Sequence, residues 1–77
     1  MAKVIIYTTP TCVYCKMAKE YFAKHNVAYE EKDVAADALA RDEMVQKSGQ
    51  LGVPVIDIDG KIVVGFDEPA LKELLKL

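Results

Sequence analysis

The chain carries no excess of charge of either sign: ten basic residues stand against twelve acidic ones, for a net charge of −2 over 77 residues. Phosphate backbones and anionic lipid surfaces therefore meet no electrostatic footprint, and neither nucleic acid nor a membrane is an expected partner. No apolar run approaches the roughly 20 residues that a membrane span needs, and Val4 to Tyr7 is too short for a signal-peptide core. Cysteine is scarce as well. Cys12 and Cys15 are the only two, too few for the disulfide framework of a small secreted scaffold. With a single histidine, His25, and no second cysteine pair, a structural zinc site lacks ligands. Linkers, repeats and low-complexity tracts are missing too, so residues 1–77 are expected to form one cytosolic, soluble domain without a metal. What is present is a core: 52% of residues are hydrophobic, 29% are charged, and the mean hydropathy is +0.08. A domain of this size buries only about 60% of its unfolded surface, which leaves a thin stability margin.

The pattern of elements follows from periodicity and stop signals. Val4, Ile5, Ile6 and Tyr7 make a continuous apolar run, so Lys3 to Thr8 is expected as a central strand buried on both faces. From Cys12 onward, Val13, Met17, Ala18, Tyr21 and Phe22 recur at helical spacing, with an end near His25 and Asn26. Val27 to Val34 alternates imperfectly and carries four charges in a row, as an edge strand does. Ala36, Leu39, Ala40 and Met44 mark a second helix, supported by a Glu43–Lys47 pair and stopped by Gly49. Asp59-Gly60 between Val55–Ile58 and Lys61–Val64 predicts a hairpin. Asp67 then caps a last helix with Pro69 in its first turn and Leu71, Leu74 and Leu75 inward. The order is βαβαββα. A strand-helix-strand crossover makes the first two strands parallel, giving an α/β fold with a four-stranded mixed sheet of order 2-1-3-4 and helices on both faces.

Chemistry concentrates at Cys12 and Cys15. At a helix N-terminus, unpaired N–H groups and the positive end of the dipole favour a thiolate, and Cys-x-x-Cys thiols fall to about 3.5–7.5 in pKa. Cys12 is placed to attack and Cys15, one turn later, to resolve. The reaction they permit is thiol–disulfide exchange, with a reversible Cys12–Cys15 disulfide and no tightly bound cofactor. The bland alternative, two small core fillers, conflicts with the exposed mouth of a helix. Lys16 either adds positive charge beside the pair or is simply solvated, and Tyr14 covers the exposed turn. Pro54 either starts a strand in trans or sits in a cis bond.

Three segments carry a resemblance: Thr8-Thr9-Pro10-Thr11-Cys12-Val13-Tyr14-Cys15, Gly52-Val53-Pro54 before a strand, and Gly65-Phe66-Asp67 before the last helix. In that order and spacing they resemble the landmarks of glutaredoxin-like proteins of the thioredoxin fold. The resemblance implies Cys12 as nucleophile, Cys15 as resolving thiol and Pro54 as a cis-proline facing them. The backbone of Val53 is then free to pair with an extended substrate segment. Further substrate contacts are implied from Thr11, Val13, Tyr14 and Lys16 around the thiols and from Gly65, Phe66 and Asp67.

Glutathione-dependent members usually carry a lysine three residues before the first cysteine, an arginine before the Thr-Val-Pro motif and a Gly-Gly pair. Thr9, Leu51, Gly52 and Val64 stand there instead. The cations for the glycyl carboxylate are missing, although Asp67 and the N–H groups of the last helix suit the γ-glutamyl end. Lys16 and Lys47 are the cations left to replace them. Val64, Gly65 and Phe66 look more like the NrdH-type redoxins, which resemble glutaredoxins but are reduced by thioredoxin reductase and serve ribonucleotide reductase. The expected function is a monomeric carrier reducing protein disulfides, with a thioredoxin reductase-type flavoenzyme or glutathione as reductant. A subunit-bridging iron-sulfur module is the alternative, disfavoured because a second thiol closes the disulfide instead.

Overall fold

A computed structural model describes residues 2–77. Its elements are β1 (Val4–Thr8), α1 (Val13–Lys24), β2 (Glu30–Asp33), α2 (Ala38–Ser48), β3 (Val55–Ile58), β4 (Lys61–Val64) and α3 (Glu68–Leu75). The sheet has order β2-β1-β3-β4. β1 runs parallel to β2, with Ile6 beside Glu31 and Thr8 beside Asp33, and antiparallel to β3, with Tyr7 beside Val55. β3 and β4 form the expected hairpin. Its Asp59 and Gly60 both have positive φ, 51° and 88°, the backbone a two-residue turn of this hand requires. This is the α/β, thioredoxin-like architecture expected from the sequence.

Strand alternation divides the interior in two. Val4 and Ile6 of β1 face α1 and α3, where they pack with Ala18, Phe22, Ile56, Val63 and Leu71. Ile5 and Tyr7 face the other way, against Ala40 and Met44 of α2 and Val55 of β3. Asp37 starts α2 by accepting the Leu39 and Ala40 N–H groups, and Gly49, at φ 74°, ends it. No described helix is long and apolar enough to cross a membrane.

Four local expectations change. The first strand begins at Val4, one residue late, and the second covers only Glu30–Asp33. Val27 is drawn back instead to close α1, its N–H donating to the Phe22 carbonyl at 2.8 Å. α1 turns Cys15, Ala18 and Phe22 inward, so Val13 is 68% exposed and Met17 also faces out. Val13 and Met17 each lie about 160° around the helix from Cys15, so they point away from the sheet. In α2 the inward pair is Ala40 and Met44; Ala36 precedes the helix and Leu39 is 81% exposed.

Candidate active site

The loop from β1 to α1 is tightened by a turn in which the Cys12 N–H donates to the Thr9 carbonyl at 3.3 Å, with Pro10 at its second position. Cys12 keeps an extended backbone as N-cap of α1, and its Sγ accepts the Cys15 N–H at 3.0 Å. An unpaired donor of the first turn is thus aimed at sulfur, the group on which negative charge develops when this thiol ionises. The two cysteines, with Cα atoms 5.2 Å apart, are joined as a disulfide. They are not equivalent: Cys12 is half-buried, whereas Cys15 is 1% exposed above Ala18.

A cleft of about 600 Å³ opens between the start of α1 and the edge strand. Thr11, Cys12, Val13, Cys15 and Lys16, all expected at the site, line it together with Thr8, Lys19, Glu31 and Asp33, which were not. Glu31 accepts from Lys19 Nζ at 3.0 Å and from Thr8 Oγ1 at 2.8 Å, and these bonds, Lys19 first, hold its carboxyl below the ordinary range. Asp33 is turned to its own loop, where Oδ1 accepts the Ala35 N–H at 2.9 Å. Lys16 is exposed and makes no ion pair among the described residues. The threonine and the two acids were legible only through register: Glu31 and Asp33 lie beside Ile6 and Thr8, on the sheet face that α1 covers.

The remaining expected residues gather on the β3 side. The Val53–Pro54 bond is cis, Pro54 is buried, and its carbonyl accepts the Gly65 N–H at 2.8 Å. Phe66 is half-buried with its ring 5.8 Å from that of Tyr21. Asp67 spends one carboxylate oxygen on the Ala70 N–H at 3.2 Å and lines a separate cleft with Val64 and Glu73. Tyr14 is 61% exposed on the first turn of α1 and lines neither cleft.

Behind this loop, on the α2 face, lies a charged network that the sequence does not announce. Lys47 Nζ donates to Asp57 Oδ2 at 2.7 Å and to the Tyr7 hydroxyl at 2.9 Å, and lies 3.3 Å from Glu43. The Tyr7 hydroxyl in turn donates to Glu43, which also receives Lys32 at 3.1 Å. Burial disfavours the charge on Lys47, but its bonds to Asp57, Tyr7 and Glu43 outweigh that and raise its pKa. Glu43 is pulled down to about 2, chiefly by the Tyr7 hydroxyl and Lys32. Lys47 is therefore committed and does not serve as a cation for a ligand carboxylate.

Comparison with known proteins agrees with this geometry. The glutaredoxin family model matches residues 4–63. An uncharacterised glutaredoxin-like 8.6 kDa protein in the rubredoxin operon of Clostridium pasteurianum is 46% identical over 71 residues, covering 92% of this chain and 95% of that one. Glutaredoxin 3 of Escherichia coli is 40% identical over 68 residues, covering 88% and 82%. The crystal structure of the thioredoxin-like protein BC3987 superposes with a TM-score of 0.88 at 40% identity, covering 94% and 99%. With a Cys-x-x-Cys pair bonded at the head of α1 and the sheet order of the thioredoxin fold, the chain belongs to the glutaredoxin family of thiol–disulfide oxidoreductases.

Proposed function

We propose that this protein is a dithiol electron carrier for protein disulfides, with Cys12 as the attacking and Cys15 as the resolving thiol. The observation that carries this is the asymmetry of the pair: Cys12 caps the helix at the cleft and Cys15 is buried beneath it. The Cys12 thiolate attacks a substrate disulfide, so that a Cys12–substrate bond forms as the substrate S–S bond breaks and one substrate thiolate leaves and takes up a proton. The Cys15 thiol then loses its proton and attacks Cys12 Sγ, forming the intramolecular disulfide and expelling the second substrate thiolate. Two electrons have moved from the protein to its substrate. Val13 and Tyr14 offer exposed apolar surface beside Cys12, and Thr11 and Lys16 flank it. The N–H and C=O of Val53 have no partner among the described residues, which suits main-chain pairing with an extended substrate. Gly65, Phe66 and Asp67 complete the rim.

The reductant we assign is a thioredoxin reductase-type flavoenzyme in preference to glutathione, and a ribonucleotide reductase disulfide is the substrate to try first. Supporting this, Thr9 and Leu51 carry no charge, Lys47 is held by Asp57 and Tyr7, and Lys16 alone is left for a glycyl carboxylate. The test has two parts. Cys15→Ser should accumulate a mixed disulfide on Cys12, read by mass spectrometry, while Cys12→Ser abolishes reduction; an adduct confined to Cys15 would reverse the roles. NADPH-coupled turnover with thioredoxin reductase should exceed turnover with glutathione and glutathione reductase, and the opposite order would overturn the choice of reductant.

A further inference from the structure

Between α2 and the buried Pro54, the loop of residues 49–53 is held by one side chain that neither the dithiol chemistry nor the family landmarks use. The Gln50 carboxamide engages both backbone groups of Gly52: Oε1 accepts the Gly52 N–H at 2.6 Å, and Nε2 donates to the Gly52 carbonyl at 3.0 Å. A planar amide meeting the N–H and C=O of one residue reproduces the reciprocal pairing that a neighbouring strand would make. Gln50 is itself fixed. Ser48 Oγ, in the last residue of α2, lies 3.1 Å from the Gln50 carbonyl and 3.4 Å from its N–H, and 2.7 Å from the Met44 carbonyl.

The close approach of the carboxamide shows at Gly52 itself. Its φ lies outside the left-handed region, so backbone conformation does not require glycine there. A Cβ at this position would stand 2.6 Å from Gln50 Oε1, closer than real Cβ contacts allow. A side chain at this position would push the end of Gln50 aside and open the contact.

Across a trans peptide bond the C=O of one residue and the N–H of the next point in opposite directions. Holding the Gly52 carbonyl toward Gln50 therefore turns the Val53 N–H the other way, and neither the N–H nor the C=O of Val53 has a partner among the described residues. We propose that Gln50 is a positioning residue for substrate: its carboxamide stands in for a strand behind Gly52 and so presents the Val53 backbone to an extended polypeptide. This rests on the reading of the protein as a reductant of protein disulfides. It makes recognition of a polypeptide backbone separable from the thiol chemistry, because Gln50 acts on the chain before Pro54 and contacts neither cysteine.

The experiment compares Gln50→Ala with the unaltered protein on two substrates, insulin and bis(2-hydroxyethyl) disulfide, the second having no peptide backbone. With insulin, KM should rise about five- to tenfold, the scale of one net hydrogen bond, while kcat stays within about twofold. With the small disulfide, both constants should hold. The Gly52 amide, followed by NMR hydrogen exchange, should exchange at least about tenfold faster in the variant, as expected for loss of its acceptor. Gln50→Glu, which keeps an acceptor and loses the donor, should fall between. Faster exchange with an unchanged insulin KM, an equal loss on both substrates, or a Gly52 amide already unprotected in the unaltered protein would each overturn the proposal. An unaltered protein that reduces neither substrate would overturn the dithiol reading along with it.

Discussion

Replacing Lys47 with Met keeps the aliphatic stem and removes the cation at the centre of the α2 face. Asp57, whose side chain is 10% exposed, then loses its 2.7 Å partner and retains only the Gly60 N–H, also at 2.7 Å. Removing one member of a fully buried ion pair costs about 3–5 kcal/mol. Lys47 is 29% exposed, so solvent screens part of the interaction, and Gly60 still serves the carboxylate; we expect a loss of about 2 kcal/mol. For a 77-residue chain whose stability at ordinary per-residue values is about 4–12 kcal/mol, that is a substantial fraction. It corresponds to a fall in Tm of about 8–16 °C. Urea unfolding at pH 7 measures it directly. Adding Asp57→Asn removes the stranded charge while keeping an acceptor for Gly60, so the double variant should recover more than half of the loss. The sign of the pH dependence is fixed too. Burial opposes the Asp57 charge, but the Lys47 and Gly60 bonds prevail and its pKa lies below the ordinary value. Its contribution is therefore present above the unfolded-state value near 4 and fades as the pH falls below it, so the gap between wild type and Lys47→Met should narrow below about pH 4. A loss under about 0.5 kcal/mol at pH 7, or a double variant no more stable than the single one, would refute the reasoning.

Two further outcomes follow from the same geometry. Glu43, held at about 2, supplies stability that is complete above its unfolded value of about 4.5 and is lost as the pH falls toward 2; Glu43→Gln should flatten the acid-unfolding curve over that window, read by circular dichroism. Installing Thr9→Lys with Leu51→Arg should raise the glutathione-dependent rate about tenfold or more, as one charge-assisted bond would, and no gain would mean that Lys16 already supplies the charge.

Features written in short stretches of sequence were legible. The Val4–Tyr7 run, the Asp59-Gly60 turn, the Asp67 cap and the placement of Cys12 at a helix start each depend on a few adjacent residues, and each appears as expected. What periodicity cannot supply is which part of an apolar stripe has something to pack on. Val13 and Met17 extend the apolar positions of α1 around the helix from Ala18 and Phe22, and only the side that carries Cys15, Ala18 and Phe22 meets the sheet. Nor does a charge pattern disclose tertiary partners. Glu43 and Lys47 read as an ordinary pair one turn apart on a solvated face, whereas Tyr7 and Asp57, from two different strands, draw both into a network over the sheet. The contact of Gln50 with Gly52 is not legible because a glycine at a close approach looks the same in sequence as one at a turn.

The two faces of the sheet are fastened by different kinds of force, and the molecule should therefore come apart unevenly. On one face α1 and α3 bury Cys15, Ala18, Phe22 and Leu71 in an apolar layer. On the other, α2 buries only Ala40 and Met44 and relies on Lys47, Glu43 and their partners. Electrolyte weakens partly exposed ion pairs and leaves apolar packing largely untouched, so α2 is the unit expected to detach first in a sub-global opening. Residues 49–53 continue directly from α2 and would leave with it. At high salt the loop that leads into Pro54 should therefore loosen before the layer that seats Cys12 and Cys15.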